Sequence, residues 1–110
     1  MKQEYLKILD IGHSGNSPDE AMILLETTVS RCSFENKTRA IKIITGHGSG
    51  RLRKTVREWC HDQEGRFKAV IPGEDYNAFN KDAVNMRSEL SNKQDRDFNS
   101  RNPGVTIFWL

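Results

Sequence analysis

The sequence has 110 residues, room for one domain of ordinary size and too few for a multidomain enzyme. With 35% of residues hydrophobic and 29% charged, it reads as a folded domain with a modest core, neither disordered nor fibrous. The net charge of +2 does not by itself announce a nucleic-acid binder, and no apolar run approaches the ~20 residues of a membrane span, so a soluble, cytoplasmic protein without a membrane partner is expected.

In chain order, Tyr5 to Ile11 is apolar and β-branched and stops at Gly12, which predicts a first strand. Ser17-Pro18-Asp19-Glu20 then combines a capping serine, a proline at the first helical position and a glutamate placed to close a capping box. A helix starts there, with Ala21, Leu24, Leu25, Thr28 and Cys32 on its apolar face, and it fails near Ser33 to Asn36. Arg39 to Thr45 predicts a second strand, broken by the turn Gly46-His47-Gly48-Ser49-Gly50. Arg51 to Cys60 predicts a second helix with Leu52, Val56 and Trp59 on one face and Arg53, Lys54 and Arg57 elsewhere. Phe67 to Ile71 and Val105 to Leu110 predict two more strands, ended and introduced by Pro72-Gly73 and Asn102-Pro103-Gly104.

Between them, Glu74 to Arg101 is polar and reads as helical over about Tyr76 to Leu90 and mobile afterwards. The fold class that follows is α/β, an α+β two-layer sandwich of order βαβαββ. Its four-stranded mixed sheet has the first two strands parallel and the helices on one face. The whole chain, 1–110, is one domain.

Charge is unevenly spread. Asn36 to Lys68 holds nine Lys/Arg and three acids, against eight and twelve elsewhere, so the middle of the chain attracts polyanions if it folds onto one face. The glycine-rich turn running into a helix start leaves backbone N–H groups for a phosphate, with Arg51, Arg53 and Lys54 adding charge. It matches neither the P-loop nor the dinucleotide fingerprint. The phosphate-binding candidates are therefore Thr45, Gly46, His47, Gly48, Ser49, Gly50, Arg51, Arg53 and Lys54.

After the first strand, Asp10 and His13 form a candidate acid–base pair, the carboxylate orienting the imidazole. Regular strand geometry puts them on opposite faces, so the pairing requires Gly12 to reset the alternation. His47, Cys60 and His61 have no spacing typical of zinc ligands, and no acidic cluster suits two metals. No cofactor is expected and a divalent metal is not indicated. Cys32 and Cys60, far apart and outside any C-x-x-C, point to a reducing compartment.

Leu9-Asp10-Ile11-Gly12-His13, the capped Ser17 to Ala21, Ile43 to Gly50, Leu52-Arg53 with Val56 and Trp59, and Asn102 to Leu110 together resemble the small MutS-related (Smr) domain. The resemblance implies a fold like the C-terminal domain of bacterial translation initiation factor three. It also implies nucleic-acid binding to DNA or RNA, in some members at ribosomes, and endonuclease activity that nicks DNA or cleaves RNA. In the family the first motif reads Leu-Asp-x-His-Gly: its aspartate falls on Asp10, but its histidine falls on Gly12, one place before His13. Two readings follow, an endonuclease using Asp10 and His13, or a binding module that keeps the turn and basic helix without cleavage. The polymer, the metal requirement, the oligomeric state and the role of 74–101 are left open by the sequence.

Overall fold

The computed structural model describes residues 5–13, 15–63, 65–90 and 95–110. The strands are β1 (Leu6–Asp10), β2 (Ala40–Ile44), β3 (Ala69–Pro72) and β4 (Val105–Trp109), and the helices are α1 (Pro18–Glu35), α2 (Arg51–Asp62) and α3 (Lys81–Arg87). A single 3₁₀ turn, Gly73–Asp75, follows β3. The sheet order is β1-β2-β4-β3, with β1 parallel to β2 and β4 antiparallel to both β2 and β3.

Local chemistry sets the helix ends. At α1 both capping-box bonds are present: Glu20 N donates to Ser17 Oγ at 3.2 Å and Ser17 N to Glu20 Oε1 at 2.8 Å. Asn36 ends the helix in the left-handed conformation, its N–H bonded to the Cys32 carbonyl. The buried face of α1 differs by one position from the expected stripe: Val29 is fully buried and Leu24 is 37% exposed.

Two cores form, one on each side of the sheet. Leu25, Val29, Ile41, Ile43, Val56 and Phe108 pack beneath α1 and α2. Ile71, Tyr76, Ala83, Met86, Val105 and Ile107 pack on the opposite face. Each fully buried side chain of this size is worth roughly 1.5–3 kcal/mol. The expected sheet with α1 and α2 against one face is thus present, and the segment after β3 adds a further layer, so the helices do not all share one side. The cause is visible in the central strands. β2 and β4 are buried along nearly their whole length, and a strand buried on both faces needs cover on both.

Within that segment the helix is shorter than the expected Tyr76 to Leu90. Asn80 caps α3 by accepting from the N–H groups of Asp82 and Ala83, so residues 76–80 form a loop instead. The stretch expected to be mobile falls partly on residues 91–94, outside the described residues.

Asp95 to Asn102 is tied to the sheet by a buried cation. Lys42, in the middle of β2, places Nζ 2.5 Å from Asp95 Oδ1 and 2.8 Å from Asp97 Oδ2, with its side chain only 6% exposed. Tyr76 donates its hydroxyl to Asp95 Oδ2, and Asn102 donates its amide to Asp97 Oδ1. Burial pushes the Asp97 carboxyl up, but the hydrogen bonds from Lys42 and Asn102 outweigh it and hold it below its usual value. Glu74 is held down as well, chiefly by hydrogen bonds from Arg57.

Carboxyls lowered by folding stabilise the native state above their unfolded pKa, near 4, and lose that contribution as pH falls through the folded value. The thermal midpoint, followed by circular dichroism, is therefore expected to be flat from neutrality to about pH 5 and to fall steadily below it. A midpoint that rises on acidification would show that these carboxyls are not held in the native state.

Candidate active site

The pairing register brings four strand ends together. Asp10 lies opposite Ile44, Ile44 opposite Val105, and Pro72 opposite Thr106. The exits of β1, β2 and β3 and the entry of β4 therefore share one end of the sheet, where ligands of open α/β folds settle.

At the exit of β1 the strand alternation is reset. The N–H groups of Ile11 and Gly12 both donate to the Ile44 carbonyl, at 3.0 and 3.1 Å, which is the signature of a bulge. Only glycine fits position 12, because a β-carbon there would lie 2.3 Å from the Thr45 carbonyl oxygen. The bulge lets His13 turn back onto Asp10. Its Nδ1 is 2.9 Å from Asp10 Oδ2, and the N–H groups of Gly12 and His13 each donate to Asp10 Oδ1 at 3.0 Å. Partial burial raises the Asp10 pKa, but the bonds from the His13 ring and from these two N–H groups more than offset it and hold the carboxyl below the ordinary range. Asp10 is therefore an anion at neutral pH.

The other edge of the imidazole faces the glycine-rich turn. A β-carbon at Gly46, whose φ is +74°, would lie 3.2 Å from His13 Nε2, so the ring sits directly against that backbone. With Nδ1–H donated to Asp10, Nε2 is left as the nitrogen that accepts a proton. The side chain is 66% exposed and open to solvent.

The turn divides into two parts. Thr45 N, Gly46 N and Thr45 Oγ1 all donate to the Gly104 carbonyl, at 2.8, 3.2 and 3.2 Å. Thr45 is buried, and these donors fix the turn to β4 instead of facing a ligand. This changes the reading of Thr45 and Gly46 from phosphate donors to the clamp that shapes the turn. The N–H groups of His47, Gly48, Ser49 and Gly50 find no acceptor among the described residues. Gly50, at φ +81°, caps α2 without a side-chain bond, and Ser49 Oγ accepts from Arg51 N. These are the features of an anion site at a helix start.

The basic residues separate in the same way. The Arg53 guanidinium folds over Gly50, where a β-carbon would come within 2.7 Å of Nη2. Arg51 and Lys54 are exposed, Lys54 reaching only to 3.9 Å from Glu58. Arg57 is committed elsewhere: it forms a bidentate pair with Glu74, at 2.6 and 3.0 Å, and bonds Thr106 Oγ1 through Nε. It ties α2 to β4 and the 3₁₀ turn. An open groove beside the turn is lined by Ser49, Gly50, Arg53, Lys54, Arg57 and Glu58, with His61 and Asp62 at its far end.

Among the described residues no group of three or more His, Cys, Asp or Glu side chains is placed to hold a metal ion. Cys60 is buried, which pushes its thiol up to about 12, so it supplies no thiolate at neutral pH. Sequence reasoning missed the Gly104 clamp and the Arg57–Glu74 pair. The first had a signal in Asn102-Pro103-Gly104, whose asparagine side chain accepts from Gly104 N. The second had none, since the partners are 17 residues apart with no local pattern.

A four-stranded mixed sheet with a glycine turn against an Asp–His pair defines a small α/β domain whose candidate site lies at one end of the sheet. Comparison gives it a family: the model of the Smr domain matches residues 13–77, and the chain belongs to that family, which is associated with nucleic-acid binding and nicking endonuclease activity. Among solved structures it is similar to the Smr domain of Thermus thermophilus MutS2. That similarity has a TM-score of 0.60 at 16% identity and covers 94% of this chain and 96% of that one. No curated protein matches the sequence. None of the described helices is long and apolar enough to cross a membrane.

Proposed function

We propose that this Smr domain is an endonuclease that cleaves phosphodiester bonds by acid–base catalysis. The observation that carries the reading is the His13 ring, bonded through Nδ1 to an anionic Asp10 and set through Nε2 against the Gly46 turn. The N–H groups of residues 47–50 and the Arg51 and Arg53 guanidiniums hold the phosphate oxygens, where negative charge grows in the transition state. Nε2 takes the proton of the attacking hydroxyl, the 2′-hydroxyl in RNA or water in DNA, as its oxygen bonds to phosphorus; the P–O bond to the leaving oxygen breaks, and that oxygen leaves as a hydroxyl with a proton taken from solvent. Asp10 then stabilises the imidazolium that results. The resemblance puts the family's histidine at Gly12, and the bulge that this glycine permits brings His13 back onto the aspartate, which supports catalysis over a binding-only role.

The experiment is incubation of the purified protein with end-labelled single-stranded RNA, structured RNA and supercoiled DNA, with and without chelator. Cleavage of any of them, lost on His13→Ala, supports the proposal. Salt-sensitive binding without cleavage makes the domain a binding module. Alanine at Arg51, Arg53 or Lys54 is expected to lower affinity across sequences and to reduce the salt slope by about one for each phosphate no longer neutralised. An unchanged slope in the triple variant, read by fluorescence anisotropy from low to moderate salt, removes these side chains from the grip.

A further inference from the structure

The segment between β3 and β4 carries an aromatic side chain that no core uses. Phe79 is 98% exposed. It directly precedes Asn80, the cap of α3, and Val84 lies in the first turn and a half of that helix. These are the two positions at which a hydrophobic staple would form, the ring folding down on the valine. The staple is not made, and Val84 stays 45% exposed.

The loop that holds Phe79 is nevertheless firmly bonded. Phe79 N donates to Asn77 Oδ1 at 2.9 Å, Asn80 donates its amide to the Asp75 carbonyl, and Ala78 N donates to Asn99 Oδ1 at 3.2 Å. Asn99 N returns a bond to the Tyr76 carbonyl at 2.8 Å. An exposed ring on a braced loop is a platform presented to solvent at little further cost in entropy.

Its place in the fold gives the platform a partner. The loop rests on Asn99, and five residues further on the Gly104 carbonyl clamps the glycine-rich turn. Five residues span at most about 18 Å, so the platform and the turn are within reach of one short stretch of polynucleotide. In the chain between Asn99 and Gly104 lies Arg101, exposed and without a carboxylate partner among the described residues. Asn99 and Arg101 both hold left-handed backbone, φ +68° and +56°, a conformation that asparagine adopts readily and arginine rarely.

We infer that Phe79 stacks an unpaired base of the substrate while Arg101 meets the adjoining phosphate, so that this domain selects single-stranded or looped nucleic acid over continuous duplex. The inference rests on the nucleic-acid reading above and extends it to the class of substrate. Only an unpaired base frees its face for such a platform, whereas the bases of a duplex are already stacked on one another.

The test is fluorescence anisotropy with a labelled single strand of roughly 10 nucleotides and with a duplex of the same sequence, as RNA and as DNA. Phe79→Ala is expected to weaken the single strand about tenfold and to leave the duplex within about twofold. Phe79→Trp should bind the single strand as the parent does, and its added indole emission, measured against the parent's Trp59 and Trp109, should be quenched by the oligonucleotide. Arg101→Ala should lower the salt slope by about one.

An equal effect of Phe79→Ala on both forms, or none, overturns the inference. If Arg51→Glu with Arg53→Glu abolishes binding while Phe79→Ala does nothing, the stacking platform fails and the grip of the turn stands. If the parent binds neither form, the nucleic-acid reading fails and the platform with it.

Discussion

His13→Ala is expected to reduce cleavage by about 10² to 10⁴-fold while leaving substrate affinity nearly unchanged, because a positioned acid–base group contributes that much to a transition state. The separation of rate from affinity follows from the division of labour at the site. The phosphate meets the N–H groups of residues 47–50 and the arginines, whereas the imidazole acts only on the moving proton. Asp10→Asn tests the same geometry from the other side. An amide that presents its NH₂ to Nδ1 turns the ring to the tautomer protonated at Nε2, which cannot take a proton. Asp10→Asn should therefore lose most of the rate without loss of fold, although the side-chain volume is conserved. Single-turnover cleavage at saturating protein, alongside anisotropy titration, measures both quantities. Full cleavage by His13→Ala would remove the histidine from the chemistry, and parallel loss of binding and rate would make it a phosphate ligand.

The second large effect lies away from the site. Lys42→Met is expected to destabilise the domain by about 3–5 kcal/mol, since Asp95 and Asp97 are left as buried charges without their cation. At this chain length each kcal/mol moves the thermal midpoint by roughly 4–8 °C, so the fall exceeds about 10 °C. Adding Asp95→Asn and Asp97→Asn to Lys42→Met removes the orphaned charges and should recover much of the loss. Denaturant unfolding of the three-fold variant against Lys42→Met decides it. A loss below about 1 kcal/mol in Lys42→Met would mean that the pair is solvated.

Most of the framework is legible in the sequence because its signals are local. Ser17 and Glu20 write the start of α1, the Gly46 to Gly50 run places the turn, and the requirement that Gly12 break the strand alternation anticipates the bulge that joins Asp10 to His13. What escapes depends on partners far along the chain. Lys42 stands in an otherwise apolar strand, and nothing near it says which of several downstream acids will meet it. The polar composition of 74–101 suggests a solvated excursion. Yet Asp95, Asp97 and Asn102 are polar because they satisfy that lysine. Asn80 is hidden as a cap because an apolar stripe runs through it on both sides. Arg57 reads with the basic face of α2, although it is spent on Glu74.

The position of β4 has a consequence for how the protein is made. It is last in sequence and internal in the sheet, between β2 and β3. A nascent chain that has emerged only as far as Arg101 holds β1, α1, β2, α2 and β3 but has no strand to pair β3 to the sheet. It also lacks the Gly104 carbonyl that gathers Thr45 and Gly46. Contacts closed over some 59 residues form late in folding. The clamp that holds Thr45 and Gly46 in the turn facing His13 is therefore completed only after synthesis has passed Gly104, and a chain truncated before that residue carries Asp10, His13 and every arginine of the site without the turn fixed in place.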